Sequence, residues 1–301
     1  MAEIKKILLI GANGLVGQKT AEIFSHETNH ELFLTDLGPK SEDPGKYNYF
    51  RLDITHKEEV KQAAKEFLPD VIINTAAYTN VDGCETEREL SWRVNVDAVK
   101  NLIIAARLNS SKLIHISTDY VFDGKTGNYD ENSKPNPRSF YGKSKLASEN
   151  AVIASGINYG LIRTMIIYGT GKNLKLNFAL WLIDMLRKNQ MVTIVDDQFG
   201  QPTISDDVAL AILRIVERNC TGLYHVCGSE YMSRYEFAVK LANIFGFDTK
   251  LIRPITTAEL HQAAERPMNS SFITLKAQTE LGIKPLNVTE GLYFLKTQLG
   301  M

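Results

Sequence analysis

Residues 10–17 read IGANGLVG. They place Gly11, Gly14 and Gly17 directly after the apolar run KKILLI and at the opening of a helix-like segment that begins at Leu15. Glycine in such a turn lets the backbone bend tightly and come close to a neighbour. The free amides at the start of the next helix face the same space, where they suit an anion. A strand, a glycine turn and a helix in that order begin a βαβ unit. Outward from this point, ELFLTD, NYFRLD, DVIINTAAY, SKLIHIST and NYGLIRT are short apolar runs separated by amphipathic stretches. Runs buried on both faces and joined by crossover helices predict a Rossmann-type doubly wound parallel sheet over residues 1–165. From 166 to 301 the pattern is less regular. The helix-like segments FALWLIDMLRK, SDDVALAILRIVER and SRYEFAVKLANIFG mix with MVTIV and GLYHV, with Gly200, Pro202, Gly222, Pro254 and Pro267 at the joins. A smaller C-terminal substrate-binding lobe is expected there, with some segments returning to the Rossmann core.

With 34 basic against 35 acidic residues, the net charge is −1. That balance offers no footprint for nucleic acid or an anionic membrane. Cys84, Cys220 and Cys227 form no metal-ligand spacing, so no metal site is expected, and their sparse, odd number suits a reducing compartment. The first apolar run, ILLI, is too short for a signal peptide or a membrane span. A cytoplasmic protein follows.

Asp36 closes the second apolar run about 20 residues beyond the last glycine, where an acid hydrogen-bonds the adenosine ribose of a dinucleotide. Gly11, Asn13, Gly14, Leu15, Val16 and Gly17 then become candidates for holding the pyrophosphate. A carboxylate at Asp36 repels a ribose phosphate, and no basic residue follows until Lys40. The expected cofactor is NADH or NADPH, with NADH favoured.

The GxxGxxG spacing resembles the short-chain dehydrogenase/reductase superfamily. That resemblance implies adenine contacts from Asp53 and Ile54 in RLDIT, and a cofactor lying close to Ala76, Ala77 and Tyr78 in NTAAY. It also implies a cofactor-side role for Asn95 in WRVNVDAVKNL. Tyr141 and Lys145 in FYGKSKLASEN are four residues apart on an expected helix, so both reach one ligand from one face. Thr118 in STDY stands at the carboxyl end of the fifth strand, at the place of the superfamily's catalytic hydroxyl. A phenol with an ordinary pKa of about 10 is a poor acid or base at neutral pH, and a nearby ammonium favours its ionised form. Thr118, Tyr141 and Lys145 are therefore the candidate catalytic residues: stabiliser of the substrate oxygen, proton donor, and tuner. Tyr141 and Lys145 also count as cofactor contacts, and Thr118 as a substrate contact.

Asp119 and Tyr120 refine the reaction. Sugar-nucleotide dehydratases of similar fold read Thr-Asp-Glu here, and the third position in this chain is Tyr120. Elimination of water would need another acid, such as Glu131 in YDENSKP. Hydride transfer to a ketone needs only the trio. STDYVFDG, NPRSFYGKSKLASE, LIRTMIIYG, VDDQFGQPT and ERPMNSS, in that order across nearly the whole chain, resemble the dTDP-4-dehydrorhamnose reductase family. The resemblance implies a nucleotide-sugar substrate held by Thr118, Asp119, Gln201, Arg266 and Asn269. It implies reduction of the 4-keto group of a nucleotide-linked 6-deoxy sugar, and a homodimer. Met165–Ile166 replace a tryptophan common in the family, and Ile273 replaces an aspartate. Two alternatives stay open: a reductase or epimerase for another sugar nucleotide, and a non-catalytic regulatory subunit resembling the methionine adenosyltransferase β subunit.

Overall fold

The computed structural model describes residues 3–42 and 47–301. Six strands come from the first 165 residues: β1 (Lys6–Ile10), β2 (Glu31–Asp36), β3 (Asn48–Arg51), β4 (Val71–Asn74), β5 (Lys112–Thr118) and β6 (Tyr159–Thr164). They lie in one parallel sheet in the order β6-β5-β4-β1-β2-β3. A seventh strand, Gly222–His225, pairs in parallel with β6 at its outer edge. The doubly wound parallel sheet expected from the sequence is present. Strand order runs outward in both directions from the β1/β4 pair, and in such sheets a crevice opens beyond the carboxyl ends at that switch.

Both faces of the sheet are covered, which is why its strands are apolar without alternation. Ile7, Leu9, Ile73, Ile114 and Ile162 pack on one face against Phe24 of the helix Leu15–Glu27 and against Val208, Ile212 and Ile215 of the helix Ser205–Glu217. Leu8, Ile10, Ile72, Leu113 and Leu161 pack on the other face. Their partners are Val60, Leu102 and Val152 of the helices Lys57–Phe67, Ala98–Asn109 and Phe140–Ala154. A separate core of Leu182, Phe237, Leu241, Leu292 and Leu295 holds the helices Phe178–Arg187, Arg234–Phe245 and Val288–Gln298 together. Residues after 165 thus supply both a strand and a helix to the central layers.

Two strands are shorter than their sequence runs. NYFRLD is strand only to Arg51, and DVIINTAAY only to Asn74. Beyond Asn74, the Thr75 amide and hydroxyl both donate to Ile10 O, at 3.0 and 2.8 Å, which folds the chain over the end of β1. Asn95 lies in a π-helical turn, Arg93–Asp97, instead of regular helix.

Candidate active site

A cleft of about 690 Å³ opens at the carboxyl ends of the strands. A hollow of about 780 Å³ lies at the opposite edge, beside Lys5 and Lys112. There Lys112 Nζ donates to Asn219 Oδ1 and Cys220 O, and Lys5 Nζ donates to Val216 O. Those cations are spent on the fold, so the chemistry belongs to the first cleft.

Gly11, Asn13, Gly14, Leu15, Val16 and Gly17 line one end of it. Gly14 caps the helix Leu15–Glu27 with no side-chain hydrogen bond, and the first turn carries no acid. Its amides are left for an anion. A Cβ on Gly17 would stand 2.0 Å from Gly11 O and 2.8 Å from Ala12 Cα, so only glycine lets the helix begin this close to the strand. Asp36 also lines the cleft, its Oδ2 accepting from Asn13 N at 3.0 Å and its Oδ1 from Leu37 N at 2.7 Å. A carboxylate has about four acceptor positions, so room remains for ribose hydroxyls. Asp53 and Ile54 follow along the wall, and Asp53 Oδ1 accepts both the amide and the hydroxyl of Thr55, at 2.9 and 2.7 Å. Ala76 and Ala77 line the facing wall. The bare amide turn, the glycine contacts and the acid together fit a dinucleotide.

Tyr78 and Asn95 are not brought into the cleft. Asn95 Oδ1 accepts from Tyr78 N at 2.8 Å, and its Nδ2 donates to Tyr78 O at 3.1 Å and Ser144 Oγ at 3.0 Å. The Tyr78 hydroxyl is bonded to Glu87. Through these bonds the loop after β4 is fastened to the helix Phe140–Ala154.

Thr118, Tyr141 and Lys145 meet at the other end of the cleft. Ser139 Oγ accepts from Gly142 N at 3.1 Å and starts the helix that carries Tyr141 and Lys145 one turn apart. A Cβ on Gly142 would lie 2.1 Å from Tyr120 O, so the glycine brings this helix against the STDY loop. Burial pushes the Tyr141 phenol up, Asp119 adds to this, and a hydrogen bond with Thr118 acts the other way. Lys145 stands one turn along the same helix. It is 2 % exposed, its Nζ donates to Ile116 O at 2.7 Å, and burial lowers it to about 8. Behind the trio, Glu149 forms a buried pair with Arg163, at 2.7 Å from Nη2 and 2.9 Å from Nε, and also accepts from Ser117 Oγ.

Asp119 lines the cleft next to Thr118. Its Oδ1 accepts from Thr118 Oγ1 at 3.0 Å and its Oδ2 from Ser270 Oγ at 2.6 Å, while burial pushes its pKa up. Tyr120 packs edge-on against Tyr141, centroids 5.5 Å apart. Three expected substrate contacts lie outside the lining of this cleft, and their polar groups have partners within the protein. Arg266 grips both oxygens of Asp82, at 2.7 and 3.1 Å. Gln201 Oε1 accepts from Phe272 N at 2.6 Å and Cys227 Sγ at 3.2 Å. The Asn269 side chain donates from Nδ2 to Thr126 O at 3.4 Å and accepts at Oδ1 from Ser271 Oγ at 3.3 Å. Glu131, the alternative acid, accepts from His225 N at 2.9 Å and is likewise outside the cleft lining. Sequence reasoning missed Ser270, one residue past Asn269, and Arg234, which borders a recess beside Asp119 and Tyr120. It also missed the wall formed by Asn173, Leu174, Lys175 and Asn177; the GTGKN turn was the available signal for that wall.

The model of the RmlD substrate binding domain matches residues 5–299. The chain belongs to this family. As a member of the RmlD family it is 33% identical to the dTDP-4-dehydrorhamnose reductase of Aggregatibacter actinomycetemcomitans, over 93% of this chain and 94% of that one. It is 32% identical to the methionine adenosyltransferase 2 subunit beta of Xenopus laevis, over 93% of this chain and 83% of that protein. A dTDP-4-dehydrorhamnose reductase of Bacillus anthracis, solved in complex with NADP, superposes with a TM-score of 0.85 at 30% identity. That match covers 98% of this chain and 100% of that one.

Proposed function

We propose that this RmlD-family protein is an NAD(P)H-dependent reductase of the 4-keto group of a nucleotide-linked 6-deoxy sugar, with dTDP-4-dehydrorhamnose as the favoured substrate. The observation that carries this reading is the single cleft in which the bare-amide glycine turn and Asp36 stand at one end and Thr118, Tyr141 and Lys145 at the other. When bound, the nicotinamide cofactor supplies the hydride. The amides of residues 15–17 and the Asp36 carboxylate hold the dinucleotide, and Asp36 favours NADH over NADPH. Thr118, its hydroxyl proton turned from Asp119 to the substrate, and Tyr141 hydrogen-bond the ketone oxygen. Tyr141, kept protonated by burial, donates its proton to that oxygen as charge builds on it. Lys145 orients the nicotinamide ribose. Asp119, braced by Ser270, shapes the sugar side. In this reading residues 1–165 bind the cofactor. Residues 166–301 bind mainly the sugar nucleotide, and the segments 205–217 and 222–225 belong to the Rossmann core. Cys84, Cys220 and Cys227 are free thiols, which suits the cytoplasm, and a homodimer is the expected assembly.

The test is stoichiometry. NADH absorbance should fall one for one with added dTDP-4-keto-6-deoxy sugar, while dTDP-glucose should undergo no elimination. Conversion of dTDP-glucose at constant NADH would instead assign a dehydratase. The 32% identity to a methionine adenosyltransferase subunit supports a second reading, a regulatory subunit. No oxidation of NADH with any keto sugar, together with tight binding to a methionine adenosyltransferase, would favour it.

A further inference from the structure

His115 lies on β5 directly behind Lys145 and has no exposed surface. Its ring is fixed through both nitrogens. Asn74 Oδ1 accepts from the Ala76 amide at 3.1 Å, and a backbone N–H can only donate. The Asn74 side chain must therefore turn its Nδ2 toward His115 Nδ1, 3.1 Å away. That nitrogen needs a lone pair to accept, so the ring proton sits on Nε2. Nε2 is 3.1 Å from Ser148 Oγ, and Ser148 Oγ spends its own proton on Lys145 O at 2.7 Å. The order of donors is thus set from the Ala76 amide, on the cleft wall, to the Lys145 carbonyl. Lys145 Nζ lies 3.3 Å from the same Nε2. A protonated Lys145 brings two donors together there, whereas a neutral amine accepts from Nε2–H.

We propose that His115 is a positioning residue for Lys145, pressing the amine onto the Ile116 carbonyl and favouring its neutral form through an N–H that the Asn74 contact prevents from turning away. Burial already lowers Lys145 to about 8, and Glu149 one turn along acts in the opposite sense. Glu149 is itself tied to Arg163 on β6, Tyr141 stands one turn back on the same helix, and Asn74 on β4 is uncharged. His115 is the group facing Nζ whose dipole opposes the charge. The consequence for function rests on reading Lys145 as the lysine of the cleft, but the electrostatic claim holds for the protein alone.

The test needs no turnover. The 13Cε resonance of Lys145, assigned by its disappearance in Lys145→Met, is titrated in the protein without added ligand. His115→Leu removes the opposing N–H and should raise the Lys145 midpoint by about half a unit or more. Ser148→Ala removes the competing acceptor, aims Nε2–H at the amine alone, and should lower it. Shifts of opposite sign support the proposal. Shifts of the same sign, or none in either variant, overturn it. If His115→Leu does not fold, the direction in Ser148→Ala decides alone. A wild-type protein that oxidises no NADH but shows these opposed shifts would sink the reductase reading and leave this one standing.

Discussion

Glu149→Gln keeps the shape of the buried carboxylate and removes its charge. Arg163 and Glu149 have side-chain exposures of 4% and 0%. Glu149 receives Arg163 Nε and Nη2 at 2.9 and 2.7 Å as well as the Ser117 hydroxyl. A glutamine amide presents one oxygen and one NH2, so at least one of these donors would meet another donor while the guanidinium stays buried. Removing one partner of a buried pair costs about 3–5 kcal/mol. With an unfolding entropy of about 2.1 cal/mol/K per residue, a chain of this length should lose roughly 5–8 °C in Tm. Scanning calorimetry of wild type and variant at pH 7 measures it directly. A fall below about 1.5 °C, the size expected for an exposed pair worth at most about 1 kcal/mol, would refute the reasoning. The double variant Glu149→Leu/Arg163→Met should recover part of the loss, since no buried charge is then left alone.

Tyr141→Phe should depress kcat by about 10²–10⁴-fold while cofactor binding, followed by fluorescence, stays near wild type; parallel loss of both would point to misfolding. Gly142→Ala forces a Cβ to within 2.1 Å of Tyr120 O unless the helix retreats, and a displacement near 1 Å should cost on the order of 10² in kcat. An unchanged rate would mean that the close approach does not position Tyr141. Asp36→Ala combined with Leu37→Arg should move the kcat/KM ratio toward NADPH, and an unaltered ratio would exclude Asp36 as the ribose reader. Burial, aided by the Arg163 charge, holds His225 down at about 3, against 6.5 for an ordinary imidazole. The unfolded chain therefore takes the proton first, and stability is lost as pH falls from about 6.5 toward 3. Between pH 7 and 5 this amounts to about 2 kcal/mol, which His225→Gln should remove from the difference in urea midpoints. Asp207, raised to about 6 by burial, acts in the opposite direction but is present in both proteins.

The sheet was legible because strands buried on both faces leave continuous apolar runs. The glycine turn was legible because close backbone approach excludes every other side chain. Tyr141 and Lys145 were legible because a helix converts a spacing of four into a shared face. The second half gave less. Ser270 reaches Asp119 across 151 positions, and no local pattern encodes that meeting. Arg266 was expected beside the ligand from the resemblance carried by ERPMNSS, but its partner Asp82 stands 184 positions away. Asn95 has the right identity, yet the π-helical turn directs its amide to the Tyr78 backbone. GLYHV was recognisable as a strand, while its place beside β6 depends on the packing of everything between.

That placement sets a timetable for synthesis. β6 gains its outer neighbour only when residues 222–225 have emerged, so on the ribosome the edge Tyr159–Thr164 stays open while the chain after it is made. Leu161 and Ile162, wholly buried in the finished protein, sit on that edge, and an unpaired apolar edge is a template for another chain. A nascent polypeptide paused between residues 165 and 222, or a fragment cut there, is accordingly the form of this protein most prone to aggregate.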